Sequence, residues 1–415
     1  MNNKQVSIVA IGAGNRPNKY LEYVKQHPDK AKLVGVVELN EIRRNKIAEK
    51  FNIEPSACFT DYHDFFRSSL KVDAVMICTP ENMHYEPCMM AIEAGYHVLL
   101  EKPIAQTPEE CIAIGEAARR KNVIVTVCHV LRYHPYFIKL KELACSGELG
   151  NIISINHRTA VGVDRAAHSF VRGPWRKESE TNPMLISKCC HDIDFLLWLT
   201  KTRCRKLTSF GSLRWFKSTN APEGSAHRCI DCQVESQCPF SAQRIYVKQH
   251  RYLYVFDNLP KDRAAKDIKI KEYLRTTDYG RCVFRSENDQ VDHYVCNMQF
   301  EDQVTASMSV EAMTSSGGRK TRIMGTKADI VGDMKTFTLT DFLTGKQYIW
   351  DEDISKLPGY EGHAGGDWGI MKDFVLAVAN HDEKYLSSTI DVSVESHVMG
   401  FKAEIARKRN IVAKM

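Results

Sequence analysis

The sequence predicts a two-domain α/β protein: a doubly wound parallel sheet, then an α+β domain with a large, open, mainly antiparallel sheet. Over the first 130 residues, short apolar runs alternate with helix-like segments that are joined by brief connections. This alternation is typical of a parallel sheet covered by helices on both faces. Beyond residue 150, polar and apolar residues alternate along several stretches, as they do in strands with one solvated face. We therefore expect one domain over 1–130 and a second over 131–415.

The strands of the first domain are predicted from apolar runs, several of which stop at Gly or Pro. These runs cover 6–11, 32–38, 73–78, 97–100 and 122–127. The segments between them predict helices at 20–26, 41–51, 83–94 and 108–121. Because parallel strands are joined by right-handed crossovers, this order predicts a doubly wound sheet.

The second domain begins with a predicted helix over 135–146, which Gly147 closes. Alternating or short apolar segments predict strands within 151–163, 294–310, 322–325 and 336–339. Helices are expected at 192–199 and 367–378, and helix-like residues follow at 397–408. The segment of about 216–280 is charged and loop-rich, and we interpret it as an insertion.

Composition limits the classes of partner. Lys and Arg exceed Asp and Glu by 57 − 51 = 6, and the two signs are interspersed, so we expect no nucleic-acid partner. No apolar run reaches the roughly 18–20 residues of a membrane span, and no apolar signal-peptide core follows Met1. We therefore expect no membrane contact and a cytoplasmic location.

The first motif is Gly12-Ala13-Gly14, between the first predicted strand and the first helix. Backbone N–H groups at a helix N-terminus bind a pyrophosphate, and glycines allow its close approach. The position of the usual third glycine is occupied by Pro17. We expect a dinucleotide to bind here; the alternative is a tight turn without a ligand. The predicted cofactor-binding residues of this loop are Gly12, Ala13, Gly14, Asn15 and Arg16.

Glu38 ends the second predicted strand, 24 residues beyond Gly14. This is near the spacing of the acid that bonds the adenosine ribose in dinucleotide-binding domains. A carboxylate repels a 2′-phosphate, which favours NAD over NADP. Arg43 and Arg44 follow closely and could hold a phosphate instead, so NADP stays the alternative. A solvated acid at a strand end is the third interpretation.

Glu101-Lys102-Pro103 directly follows the predicted strand at 97–100. The carboxyl end of such a strand faces the ligand crevice of a doubly wound sheet. A Lys there could reach a substrate hydroxyl or carbonyl and take part in proton transfer. Taken alone, the motif is also compatible with an ordinary surface Lys.

Together these motifs resemble the glucose–fructose oxidoreductase/inositol dehydrogenase (Gfo/Idh/MocA) family. The resemblance covers nearly the whole chain and also includes Cys78-Thr79-Pro80 with His84, and His191 followed by Asp194 at a helix start. It implies a Rossmann domain, an open sheet domain over the nicotinamide, and hydride transfer at a secondary hydroxyl of a sugar, cyclitol or related polyol. It also places further residues near the cofactor: Thr79, Pro80, His84, Glu101, Lys102 and Arg132.

The resemblance also suggests the catalytic residues. Members commonly use this Lys with an Asp and a His four residues apart in the second domain. His191 matches the His, but Ser187 occupies the Asp position. We assign Lys102 to polarise the oxygen and His191 to act as base; alternatively, His191 only packs its helix. The residues expected near the substrate are Tyr133, Trp175, Arg176, Lys188 and His191.

The resemblance leaves two other functions open. One is an NAD-dependent glycosidase, in which transient oxidation permits elimination of the glycosidic bond. The other is a non-enzymatic sensor that binds NAD(H). Exposed sheet faces often pair in this family, so a homo-oligomer is expected.

A cysteine cluster lies within and just beyond the insertion. Cys229 and Cys232 form a CxxC pair, and Cys238 follows after five residues. A CxxC turn can aim two sulfurs at one zinc ion. We choose Cys282 as fourth ligand, with His227 or Cys204 as alternatives, and predict a structural zinc. Free thiols or a disulfide are the other interpretation.

Overall fold

A computed structural model describes residues 4–356 and 363–415 of the chain. The first domain contains a six-stranded sheet in the order β3-β2-β1-β4-β5-β6, and every pairing in it is parallel. This is the strand order of a Rossmann fold, as predicted. Its elements are β1 (Val6–Ile11), α1 (Asn15–Gln26), β2 (Ala31–Val37), α2 (Glu41–Phe51), β3 (Cys58–Phe59), α3 (Tyr62–Arg67), β4 (Ala74–Ile77), α4 (Tyr85–Glu93), β5 (His97–Leu100), α5 (Pro108–Lys121) and β6 (Val125–Val127).

The central strands of this sheet are buried on both faces, which explains their continuous apolar sequences. All residues of β4 and β5 are buried, and so are five of the six in β1. Local signals set the helix ends. In α5, the Thr107 side chain accepts from the backbone of Glu110, whose carboxylate accepts in return, and Asn122 ends the helix in the left-handed conformation at φ 51°.

The second domain has a nine-stranded sheet in the order β14-β13-β12-β11-β7-β10-β9-β8-β15. Among its described pairings only β7–β10 is parallel, so the prediction of a mainly antiparallel sheet is confirmed. Its elements are α6 (Pro135–Ser146), β7 (Ile152–Ala160), α7 (Val163–Ala166), α8 (Met184–Thr200), β8 (Cys204–Ser212), α9 (Arg263–Thr276), β9 (His293–Phe300), β10 (Thr305–Glu311), β11 (Gly318–Gly325), β12 (Ala328–Gly332), β13 (Phe337–Asp341), β14 (Gln347–Trp350), α10 (Gly366–Asn380), α11 (Ile390–Arg409) and β15 (Ala413–Lys414).

The two faces of this sheet differ. One face packs against α8 and α11 in a shared apolar core. The opposite face carries exposed apolar side chains, among them Phe210, Val295, Val331 and Ile349. Along β9 buried and exposed residues alternate, which is the period-two pattern that the sequence shows.

Two elements differ from their predictions. Helix α8 begins at Met184 rather than at residue 192, so His191 lies inside the helix and not at its start. Nearly every residue of α8 is buried. Because its sequence is apolar on all sides, it shows no helical period.

The insertion contains the helix α9, which is capped by Asp262. This helix buries only Ile270 and Leu274, which are too few to produce a helical period in the sequence.

Helix α10 packs on the first domain although it lies near the C-terminus. Ile370, Met371 and Phe374 join the same apolar cluster as Ile8 and Tyr20. The domain limits of 1–130 and 131–415 stay predictions. None of the described helices is long and apolar enough to cross a membrane.

Candidate active site

The predicted cofactor residues lie at one edge of the first sheet. Gly12 follows β1, Glu38 follows β2, Thr79 follows β4 shortly, and Glu101 follows β5. Because β1, β2, β4 and β5 are parallel neighbours, these residues share the carboxyl edge, where doubly wound sheets bind their ligands.

The glycine loop has the geometry of a phosphate cradle. Gly12 has φ +96°, and a Cβ there would lie 2.6 Å from the carbonyl oxygen of Cys78, so only glycine fits. Gly14 caps α1 without a side-chain hydrogen bond, and a Cβ built on it would meet no atom within 4 Å. Pro17 is the third residue of α1, where its missing N–H costs nothing. The loop therefore fits a pyrophosphate without the third glycine.

The Glu38 carboxylate lies beside this loop. Its Oε2 accepts from the Ala13 backbone N–H at 2.7 Å, and its Oε1 accepts from that of Asn40 at 2.9 Å. Arg44 donates to the backbone oxygen of Glu38 at 2.7 Å, while Arg43 lies 3.9 Å from Asp257 of the insertion. The acid and the glycine loop are thus neighbours, as their spacing predicts.

Arg16, predicted to bind cofactor, is held by two carboxylates. Its Nε donates to Glu101 at 2.6 Å, and a terminal nitrogen donates to Asp367 of α10 at 2.6 Å. The Tyr20 hydroxyl also donates to Glu101, at 2.5 Å. Burial would raise the pKa of Glu101, but Arg16 and Lys102 leave it lowered. Glu101 is therefore an ionised structural acid, and cofactor contact by Arg16 or Glu101 stays a prediction.

His84 and Arg132 also serve as structural links. The two ring nitrogens of His84 lie 2.7 Å from the oxygen of Pro103 and 3.0 Å from that of Thr79. Arg132 forms a buried two-point pair with Asp194, at 2.7 and 2.8 Å. Arg132 thereby joins the end of the first domain to α8, and the cofactor roles of both residues stay predictions.

Lys102 connects the two domains at the site. Its Nζ donates to the backbone oxygen of Ser187 in α8, 2.6 Å away. His191 lies one turn further along α8, and Lys102 is the largest charged influence on its imidazole. The structure therefore brings together Lys102 and His191, the two predicted catalytic residues.

The environment of His191 keeps its ring neutral. Burial, then the positive charge of Lys102, lowers the pKa of His191 well below its usual value. In the described part of the chain its Nδ1 has no hydrogen-bond partner. The His129 ring lies 5.8 Å away, centroid to centroid. His191 is thus a weak base, although it can still accept a hydrogen bond.

Lys188 is the second lysine of the site. Burial, then the charge of Arg319, lowers the pKa of Lys188 to about 8, and its amine donates to none of the described groups. The nearby Asp192 is occupied: Arg319 donates to it at 2.5 Å, and His157 lies 2.8 Å away. A lysine that titrates near neutral pH suits proton transfer or binding of a hydroxyl.

Glu81, a buried acid in the loop after β4, is a site residue that was not predicted from the sequence. Its carboxylate accepts from the Ser187 hydroxyl at 2.7 Å, from the Trp175 indole at 2.6 Å and from the Asn182 amide at 3.2 Å. The available signal was an acid directly after Thr79-Pro80 at the carboxyl edge of a strand.

The other predicted substrate residues differ in their placement. Trp175 lies at the site, where its indole N–H donates a hydrogen bond to Glu81. Arg176 points instead to the insertion, where it donates to Asp278 at 2.7 Å. The Tyr133 hydroxyl accepts from the backbone of Ser387 at 3.3 Å. Substrate binding by these residues stays a prediction.

The four predicted zinc ligands gather at one small cavity. Cys229, Cys232, Cys238 and Cys282 all line it, and its volume is about 20 Å³. Within residues 4–356 and 363–415, however, no three His, Cys, Asp or Glu side chains are arranged to hold a metal ion. Cys204, one alternative fourth ligand, lies in β8 against the oxygen of Gln299.

Comparison with known proteins identifies the family. Residues 6–129 match the Gfo/Idh/MocA oxidoreductase family, NAD-binding Rossmann fold, and residues 141–389 match its C-terminal alpha/beta domain. The "Putative oxidoreductase YteT" of Bacillus subtilis (strain 168) is 22% identical over 333 residues, which cover 74% of this chain and 72% of that protein. The "D-glucoside 3-dehydrogenase" of Escherichia coli (strain K12) is 31% identical over 153 residues, 37% of this chain and 42% of that protein.

Solved structures share the fold over the full length. A levoglucosan dehydrogenase in complex with NADH superposes with a TM-score of 0.72 at 16% identity, covering 99% of each chain. The two family matches account for most of this chain, and the observed domains are those that they describe. The chain therefore belongs to the Gfo/Idh/MocA oxidoreductases, with an NAD-binding Rossmann domain followed by the C-terminal α/β domain of that family.

Proposed function

We propose that the protein is an NAD-dependent dehydrogenase that oxidises a secondary hydroxyl of a sugar, cyclitol or related polyol. The observation that carries this proposal is Lys102, which bonds to α8 across the domain boundary close to His191 and Lys188. The names of the glucoside and levoglucosan dehydrogenases support the substrate class.

The cofactor proposal rests on the glycine loop and Glu38. The open space at Gly14 and the uncapped start of α1 favour a pyrophosphate. Glu38, held beside Ala13, favours an unmodified ribose and therefore NAD. When bound, NAD supplies the acceptor for the hydride that leaves the substrate carbon.

The hydroxyl proton needs a separate acceptor. Its departure together with the hydride leaves a ketone on the substrate. The pKa of His191 is lowered by burial and by the charge of Lys102, so we move the base role from His191 to Lys102, which accepts the hydroxyl proton as an unprotonated amine and becomes the ammonium. The neutral His191 ring then accepts a hydrogen bond and orients the hydroxyl. Lys188 is placed to bind a neighbouring hydroxyl.

A polyol panel tests this function. Purified protein is mixed with NAD and with inositols, hexoses, alkyl glucosides or levoglucosan, and NADH absorbance is followed. Sustained NADH formation with at least one compound supports a dehydrogenase. Release of the alcohol from an alkyl glucoside without net NADH would favour the oxidation–elimination glycosidase. Binding of NADH without either reaction would favour a sensor.

We also propose a homo-oligomer that pairs through the open sheet face. Phe210, Val295, Val331 and Ile349 are exposed on it, and a groove of about 590 Å³ crosses it. Contiguous exposed apolar residues commonly mark interfaces. Light scattering should give at least twice the mass of one chain, and Val295→Lys should reduce that mass.

We propose that the cysteine cluster closes around a structural zinc when the metal binds, because its four thiols already line one cavity, although among the described residues they are not arranged to hold a metal ion in this structure. Arg172 is fully buried beside it and donates to Cys229 at 3.3 Å and to the oxygens of Arg281 and Phe240. No ion pair of Arg172 occurs within the described residues. A buried cation is costly without a counter-charge, and four thiolates on Zn²⁺ carry a net negative charge that would supply it.

The state of the cysteine thiols also favours one cellular compartment for the protein. All fourteen Cys are free, and free thiols persist in reducing compartments. We therefore keep the cytoplasm as the proposed location.

A further inference from the structure

The buried Glu81 joins the first domain to the catalytic helix of the second. Its Oε1 accepts from the Trp175 indole at 2.6 Å. Its Oε2 accepts from the Ser187 hydroxyl at 2.7 Å and from the Asn182 amide at 3.2 Å. All three donors belong to the second domain, and Glu81 is only 6% exposed. Three hydrogen bonds fix the orientation of this carboxylate.

Ser187 is the residue that occupies the family's Asp position. The carboxylate that α8 lacks at position 187 is supplied by Glu81 of the first domain, which accepts a hydrogen bond from the Ser187 hydroxyl. The backbone oxygen of the same Ser187 accepts from Lys102 Nζ at 2.6 Å. Ser187 therefore contacts both the Glu81 carboxylate and the Lys102 nitrogen.

The electrostatics at Cys190 show that both charges act on the same part of α8. Burial raises the pKa of the Cys190 thiol to about 12; Lys102 acts to lower it, and Glu81 acts to raise it. Within the part of the chain that the structure describes, Lys102 also interacts with Glu101, His129, His191 and His397. Glu81 and Lys102 thus act on Cys190 with opposite effects.

We propose that Glu81 replaces the missing aspartate of α8 and positions Lys102 and Trp175 for the proton transfer. This rests on the proposed dehydrogenase function. Glu81 is a positioning residue, because it contacts Ser187, Asn182 and Trp175 rather than the reacting atoms. Glu81 is not the proton acceptor; the hydroxyl proton passes to the unprotonated amine of Lys102, which becomes the ammonium.

The first test is Glu81→Gln, which keeps the size and removes the charge. The NH₂ group of the new amide can only donate, whereas Trp175, Ser187 and Asn182 each need an acceptor at this position. Trp175 or Ser187 must therefore move. Small displacements of positioning groups cost up to about a hundredfold in rate. We expect kcat to fall about tenfold to a hundredfold, with KM and NAD affinity changing far less. Glu86→Gln, an exposed acid of α4, is the matched control and should behave like the wild type.

The decisive test moves the carboxylate back to α8. Ser187→Asp alone puts two carboxylates in contact and should also lower kcat. In the double variant Glu81→Gln/Ser187→Asp a single carboxylate remains, and kcat should exceed that of either single variant. A merely structural role does not predict this rescue. Thermal unfolding and NAD titration of all variants identify any loss of kcat that comes from misfolding.

Assays with a polyol that the wild type oxidises distinguish a failure of the Glu81 role from a failure of the dehydrogenase function. A normal kcat in Glu81→Gln overturns the role of Glu81 and leaves the dehydrogenase function standing. A double variant no faster than the single variants also overturns it. A wild type that oxidises no compound of the panel overturns the dehydrogenase function, and the role of Glu81 with it.

Discussion

Lys102 Nζ lies 2.6 Å from the backbone oxygen of Ser187, so the side-chain nitrogen of a first-domain lysine is bound directly to α8 of the second. This contact places Lys102 at Ser187, which directly precedes Lys188 in the chain and lies one helical turn from His191. It joins the end of β5 to the helix that carries the other candidate catalytic groups.

Lys102→Met should lower kcat by at least about a hundredfold, because the variant removes the proposed proton acceptor. His191→Ala should lower kcat less, by roughly tenfold to a hundredfold, because a neutral ring only orients the hydroxyl. NADH formation measures kcat, and fluorescence titration should show nearly unchanged NAD affinity. A larger loss in His191→Ala would return the base role to His191. Normal rates in both variants would point to Lys188 or Tyr133.

The cofactor preference should follow from Glu38. We expect NADH to bind at least about tenfold more tightly than NADPH, because like charges in contact are strongly unfavourable. Glu38→Ala should narrow the gap, while Glu41→Ala, an exposed acid of α2, should leave it unchanged. Nicotinamide fluorescence reports both affinities. Equal affinities in the wild type would show that Arg43 or Arg44 accepts the 2′-phosphate.

Lys188 should make the free energy of unfolding depend on pH. Its folded-state pKa is lowered by burial to about 8 from an ordinary 10.5, so the unfolded chain binds more protons between these values. The free energy of unfolding therefore increases as the pH rises between these two pKa values, by roughly 1–2 kcal/mol between pH 8 and 9.5. Urea unfolding should show this gain in the wild type and its loss in Lys188→Met. Lys46→Met, at an exposed site, should retain it.

The cysteine cluster should bind about one zinc per chain, which metal analysis of protein purified without chelator would measure. Cobalt in its place should give the absorption of a tetrahedral thiolate site. Cys229→Ser should lose the metal and reduce thermal stability more than turnover, since structural zinc supports folding. Cys145→Ser, at an exposed site, is the control. Metal-free protein of full stability would reject the zinc.

The strand-end residues of the site were predictable because a local pattern defines them. Gly12, Glu38 and Lys102 each follow an apolar run at a parallel sheet edge, and the structure places all three there. Glu81 and Ser187 were not recognised as partners because 106 residues separate them, and their contact depends on how α8 packs against the first domain.

The start of α8 and the presence of α9 were not predicted because their sequences lack a clear helical period. Nearly every residue of α8 is buried, whereas α9 buries only two. Neither sequence has the one-sided apolar stripe that marks a surface helix. The lowered pKa of His191 likewise arises from burial and from Lys102, neither of which a sequence pattern displays.

The contact between Arg16 and Asp367 bears on the order in which the chain folds. Arg16 lies in the first helix, whereas Asp367 lies in α10, 351 residues later. Until α10 leaves the ribosome, the site for Ile370, Met371 and Phe374 remains open to water, and Arg16 lacks one of its two carboxylates. The first domain therefore completes its fold only after α10 has been synthesised. A fragment cut at residue 130 should aggregate, because it exposes the apolar surface that α10 covers.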